Sequence, residues 1–177
     1  MSGINGRVTI LGSDDLAALS RQAASSPRLR FNRNIHQMSD SVHRLLNAVE
    51  PGTYIRPHRH LTPPKDETIV VLSGAVGILV FDDAGNVIEK AILAPHGRMV
   101  ADLAAGIWHT LISLTSGTVF FETKKGPYVP PRLQDLAAWA PAEEDQDVRA
   151  RESVFRAFFG PLYSDFTRPG DRPPGGF

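Results

Sequence analysis

The chain has 177 residues, 42% of them hydrophobic, which suits one domain with a sizeable core and terminal extensions. Its 19 basic and 19 acidic side chains cancel, which argues against a nucleic-acid or anionic-membrane partner, and no cysteine supplies a disulfide, a thiolate ligand or a thiol nucleophile. No apolar run reaches the roughly 20 residues that span a bilayer, and no basic region followed by an apolar leader opens the chain, so a soluble cytoplasmic protein is expected.

In chain order, Val8 to Leu11 reads as a short strand and Asp14 to Ala24 as a helix. Asp14 and Asp15 suit the positive end of that helix, and Leu16, Leu19 and Ala23 fall on one face. Pro27 separates it from RLRFNRNIHQM, where Arg30, Asn32, Asn34 and His36 share strand parity and so look one way.

From Val42 to Glu122 the pattern becomes short apolar or alternating stretches: Val42–Val49, Thr53–His60, Glu67–Ser73, Ala75–Phe81, Val87–Leu93, Met99–Leu103, His109–Leu114 and Val119–Thr123. Proline and glycine punctuate them, and Gly85 in FDDAGN suits a hairpin turn. Many short strands with regular turns predict an all-β sandwich or jelly-roll barrel rather than repeated strand-helix units. After GPYVPP a short helix is expected over Leu133 to Trp139. A final helix capped by Asp147 should run through Phe159, with Val154, Phe155 and Phe158 giving it an apolar side. RPGDRPPGGF reads as an irregular tail.

The chemistry concentrates in GTYIRPHRHLTPPKDETIVVLSG. His58 and His60 are two apart and share one strand face, and Pro63 and Pro64 let the chain reverse so that Glu67 starts the next strand beside them. His109 opens a later apolar stretch, from which its side chain can join the other three. Without thiolates the metal must be held by nitrogen and oxygen, and neutral imidazole with ionised carboxylate suits one divalent ion among Fe, Mn, Zn, Ni and Co. Three histidines and one glutamate leave up to two positions of an octahedral shell for water or a chelating substrate. The competing reading is a set of structural histidines.

These residues resemble the two motifs of the cupin superfamily. Gly52, His58, His60, Glu67 and Gly74 match the first, with six residues before Glu67 where three or four are usual. Gly106 and His109 match the second, while Ala104 replaces its proline, Ser113 its asparagine, and Gly97 stands one residue early with Arg98 in the glycine's place. A closer resemblance is to WbuC-type cupin-fold metalloproteins, carried by NRNIHQ, VHRLLNAVEPGTYIRPHRH, the PPKDE turn, IWHTLISL, FFETKKGPY and DLAAWAPAE. It covers about residues 28–144 and implies a cupin jelly-roll barrel with a bound divalent metal, without supplying a substrate. The expected division is an N-terminal strand and helix extension over 1–27, the cupin domain over 28–131, and a C-terminal helical extension and tail over 132–177.

Around the ligands, Arg56 shares their parity and is a candidate to grip a carboxylate or phosphate, against a barrel-edge ion pair. Lys65 is either a contact to an anionic ligand or an ordinary surface lysine, and His36 and Asn34 either line the cavity or satisfy local hydrogen bonds. Tyr128 offers a hydroxyl at the cavity mouth or simply packs on the rim. Glu122 is the candidate catalytic group: a base, an orienter of a ligand histidine, or a partner of Arg44, Lys124 or Lys125. His43 and His96 lack ligand spacing, and Trp108 and Trp139 read as packing groups.

Three functions fit this set. The first is a metal-dependent isomerase or oxygenase acting on a carbohydrate-related or other small polar, anionic metabolite. The second is a noncatalytic sugar or nucleotide-sugar binding module, and the third a structural or regulatory cupin. Exposed strand edges add the expectation of a homodimer.

Overall fold

The computed structural model describes residues 3–4 and 8–160. A two-residue ladder pairs β1 (Gly3–Ile4) with β2 (Val8–Thr9) and leads into α1 (Ser13–Ser25). The helix starts where Asp15 returns to Gly12: its backbone N–H donates to Gly12 O at 3.1 Å, and its carboxylate accepts from the Gly12 N–H at 3.0 Å. Two otherwise orphaned groups at the helix start are thereby satisfied, and the acids at 14 and 15 lie at the positive end of the helix dipole.

Eight further strands follow: β3 (Arg30–Asn34), β4 (Val42–Val49), β5 (Glu67–Ser73), β6 (Val76–Phe81), β7 (Val87–Leu93), β8 (Val100–Leu103), β9 (Trp108–Ser113) and β10 (Thr118–Lys125). They form two antiparallel sheets, of order β3-β4-β10-β5-β8 and β7-β6-β9. Alternation sends Val49, Ile69, Val71 and Phe120 of the larger sheet against Val76, Ile78, Leu93 and Leu111 of the smaller, which makes the inner core. Burying a side chain the size of Phe120 contributes about 2–3 kcal/mol to that core.

Each sheet is also covered outside. Leu19 and Ala23 of α1 pack on Leu46, Ala48 and Val119 of β4 and β10. On the smaller sheet, Leu79, Phe81 and Ile112 are covered by Phe155 of α2 (Val148–Ala157) and by Phe159 just beyond it. Gly77 makes this possible, because a Cβ there would lie 2.5 Å from the Phe159 ring.

The expected jelly-roll barrel is corrected: among the described residues neither sheet closes on itself, and the architecture is two open antiparallel sheets flanked by N- and C-terminal helices. The reason lies in residues 53–60. This segment alternates as a strand should but joins no ladder, making only single bridges from His58 to His109 and to Leu136. Pro57 has no N–H to donate, and the segment scatters its backbone hydrogen bonds, to His109 of β9 on one side, to Asp135 and Ala137 on the other, and from Lys65 and Gly106 to the His60 carbonyl.

The same contacts correct the helix expected over Leu133 to Trp139, which is reduced to a 3-10 turn, Leu133–Asp135. Asp135 O accepts from the Arg59 N–H at 3.0 Å and the Ala137 N–H donates to Pro57 O at 2.9 Å, so beyond the bonds of the short turn itself this backbone pairs outward. Asp147 stands at the N-cap of α2, yet its side chain makes no capping hydrogen bond there. The tail expected to be irregular lies outside the described residues.

Candidate metal centre

β5 opens on Glu67, which shares its inward parity with Ile69 and Val71 and is buried with them. Across the ladder it stands opposite Lys124 of β10 and Leu103 of β8. His109, second residue of β9, exchanges both backbone hydrogen bonds with His58, at 2.9 and 3.0 Å. His60 is fixed through its carbonyl, which accepts from the Lys65 N–H at 3.1 Å and the Gly106 N–H at 3.2 Å. Two loops far apart in sequence therefore set the HisXHis segment against β5 and β9.

His58, His60, Glu67 and His109 converge, with one ligand atom from each lying within 4.8 Å of the others. His58 Nδ1–H donates to Arg56 O at 3.0 Å and His109 Nδ1–H to Ile107 O at 2.9 Å. A carbonyl can only accept, so both rings carry their proton on Nδ1 and present Nε2. His109 Nε2 lies 3.2 Å and His60 Nε2 3.1 Å from the same carboxylate oxygen, Glu67 Oε2. With its proton on Nδ1, His109 turns an Nε2 lone pair toward the lone pairs of Glu67, whereas His60, whose Nδ1 has no such carbonyl partner among the described residues, can donate to the carboxylate from Nε2. The His109–Glu67 approach calls for a shared cation, either an added proton or a divalent metal.

Electrostatics puts His58 and Glu67 in the states that suit a metal ligand. Burial, reinforced by the charges of His109 and His60, pushes His58 down to about 3, so its ring stays neutral at physiological pH. For Glu67 burial works upward, but hydrogen bonds with His109 and His60 and the nearby Lys124 charge outweigh it and hold the carboxyl well below its usual range. Neutral imidazole and ionised carboxylate are the states in which these groups bind a divalent ion, and the four residues fit one.

Two cavities flank the cluster. The larger, about 370 Å³, is lined by His58, Glu67 and His109 together with Asn47, Glu122 and Lys124. The smaller, about 280 Å³, is lined by His58 and His60 with Arg56, Lys65, Tyr128 and again Lys124. Arg56 donates from Nε and Nη2 to Ala137 O at 3.1 and 2.7 Å, and Lys65 Nζ donates to Pro127 O at 2.9 Å. Tyr128 is half-exposed at the rim.

His36 and Asn34 are brought to neither cavity lining. His36 accepts from the Arg44 N–H at 3.0 Å and stacks on His43 at 4.1 Å, while Asn34 accepts from Asn32 at 3.1 Å.

Glu122 is buried beside the ligands, accepts from Asn47 Nδ2 at 2.8 Å, and has Lys124 Nζ 2.6 Å from Oε1. That last contact is an ion pair without hydrogen-bond alignment. Burial and the adjacent Glu67 charge raise Glu122 to about 8 despite Lys124. Lys124 in turn is pushed upward, because the Glu67 and Glu122 charges outweigh its burial. As a member of the site Lys124 escapes the sequence pattern, in which it figures only as one possible partner of Glu122. Its shared parity with Glu122 is the available signal.

Among known families, a model described as a domain of unknown function (DUF6016) matches residues 11–93. No curated protein matches. Of solved structures, the TT1209 protein from Thermus thermophilus is 25% identical, with a TM-score of 0.47 over 60% of this chain and 92% of that one. KdgF from Halomonas sp. is 16% identical, with a TM-score of 0.46 over 63% of this chain and 87% of that one. The SPY1581 protein of unknown function from Streptococcus pyogenes is 18% identical, with a TM-score of 0.45 over 59% and 80%. The four ligand positions of the two cupin-type motifs meet at one point in this chain.

Proposed function

We propose that this chain is a metal-dependent enzyme of cupin type that acts on a small polar metabolite, with His58, His60, Glu67 and His109 holding one divalent ion. The observation that carries the proposal is the approach of His109 Nε2 and His60 Nε2 to one oxygen of Glu67, beside a neutral His58, with cavity space on both sides. When bound, such an ion polarises a carbonyl or hydroxyl or acidifies water.

Glu122 is the proton-moving group in this proposal. Raised to about 8 and facing the larger cavity, its carboxyl is poised to give or take a proton near neutral pH. Asn47 fixes its orientation and Lys124 steadies the ionised form. Arg56, Lys65 and Tyr128 contact a polar ligand from the smaller cavity. The finer assignment, to a WbuC-type isomerase or oxygenase of a carbohydrate-related metabolite, is supported by the sequence segments that resemble that family. A homodimer is proposed from the open edges β3 and β8, which expose Phe31 and Val100.

The test begins with X-ray absorption on protein purified without added chelator, to identify the ion. Dioxygen uptake and sugar isomerisation are then followed for wild type and Glu122→Gln. Turnover lost in Glu122→Gln with metal retained supports the proposal. A wild-type chain that binds a sugar ligand but turns over nothing, before and after the substitution, makes it a binding module instead.

A further inference from the structure

Arg28, just ahead of β3, and Arg30, its first residue, both line the larger cavity, which the metal ligands His58, Glu67 and His109 line as well. Both also grip Glu143, each taking a different oxygen: Arg28 Nη2 lies 2.5 Å from Oε2 and Arg30 Nη2 2.6 Å from Oε1. Arg30 is further fixed by donating from Nη1 to Tyr54 O, and its side chain is only 18% exposed. A carboxylate held by two guanidinium groups has the geometry of oxyanion recognition.

Two features separate this from an ordinary surface ion pair. Charge is the first: the larger cavity carries Arg28, Arg30 and Lys124 against Glu67 and Glu122, so its lining is cation-rich even before an ion is counted, while Glu143 lines the smaller cavity instead. Placement is the second. Glu143 sits on a tight turn closed by the Ala142 N–H to Asp145 Oδ2 at 2.7 Å, and the chain before it is anchored by Tyr54 Oη–H donating to Pro141 O at 2.9 Å. Rotation of the Glu143 side chain therefore frees both arginines without moving the segment that carries it, and among the described residues Glu143 makes no other hydrogen bond.

We propose that Arg28 and Arg30 form a subsite for the oxyanion end, carboxylate or phosphate, of a small ligand whose other end reaches the metal centre, and that Glu143 fills this subsite until the ligand displaces it. The far end of the ligand rests on the function proposed above; the subsite itself does not. Glu143 acts here as an internal competitor, which sets a threshold of affinity that a neutral molecule cannot meet.

The full chain, as purified and with its metal content determined, is titrated calorimetrically with inorganic phosphate and separately with succinate. Glu143→Gln should tighten binding of at least one probe about tenfold, and the Arg28→Gln/Arg30→Gln pair should weaken it at least about tenfold. Whichever probe binds more tightly names the source, phosphate ester or carboxylate. In the wild-type chain the Nε–Hε resonance of Arg30 should move on adding that probe, a readout independent of how well any variant folds. Equal affinity in wild type and Glu143→Gln, unchanged affinity in the double arginine variant, or a static Arg30 resonance overturns the proposal. Metal content is read separately in every sample, so loss of the metal site and loss of the subsite are distinguished.

Discussion

Replacing Glu122 by Gln should abolish a pH dependence of stability that the metal-free chain carries. The carboxyl is raised from its ordinary 4.5 to about 8, first by burial and then by the Glu67 charge. The folded chain therefore holds a proton that the unfolded chain has lost across that window, and stability falls as pH rises through it. His58 and His43 are both held below their ordinary 6.5, burial being the main cause, and act in the opposite sense mainly below that pH, the effect fading out about one unit above it. Between pH 6.5 and about 8 the Glu122 contribution stands apart, at about 1.4 kcal/mol per pH unit, or about 2 kcal/mol across the interval. Urea denaturation of chelator-treated protein at half-unit steps should show a decline in wild type and, in Glu122→Gln, no decline but the slight rise left by the histidines near pH 6.5. Parallel slopes in the two proteins would refute the buried, proton-holding state of Glu122 and with it the proposed proton transfer.

Further substitutions probe other parts of the structure. His109→Ala removes a ligand and leaves Glu67 without one of its two histidine partners; metal affinity, measured by competition with a chromogenic chelator, should fall about 100-fold or more. Gly77→Ala places a methyl 2.5 Å from the Phe159 ring, and denaturation should report a loss of about 1–3 kcal/mol. Phe159→Ala combined with it should cost less than the two single changes together. Asp135→Ala strips a buried carboxylate from Arg59, whose Nε lies 3.5 Å away; stability should drop by about 2 kcal/mol, and metal affinity by less than in His109→Ala.

The ligand cluster is legible because its members announce themselves by local rules: a two-residue spacing for His58 and His60, and the first inward position of a strand for Glu67. His109 needs only to begin an apolar stretch. What local rules do not show is which backbone groups other parts of the chain will claim. Thr53–His60 alternates like a strand, yet Pro57 lacks a donor, and residues 135–137 take hydrogen bonds that a neighbouring strand would need for closure. The same exchange undoes the helix expected at 133–139. Lys124 shows a third limit. In the sequence it figures only as one possible partner of Glu122, and the register that sets it opposite Glu67 makes it part of the site.

His58 lines both cavities, with the ligand cluster between them. For the enzyme proposed above, a centre bordered by two cavities has room for two visitors without a queue: one lodged in the larger space need not obstruct a second in the smaller. Steady-state kinetics with two reactants should then show random rather than compulsory order. Bulky substitutions at Val129, which lines the smaller cavity, and at Ser26, which lines the larger, should slow the two arrivals independently.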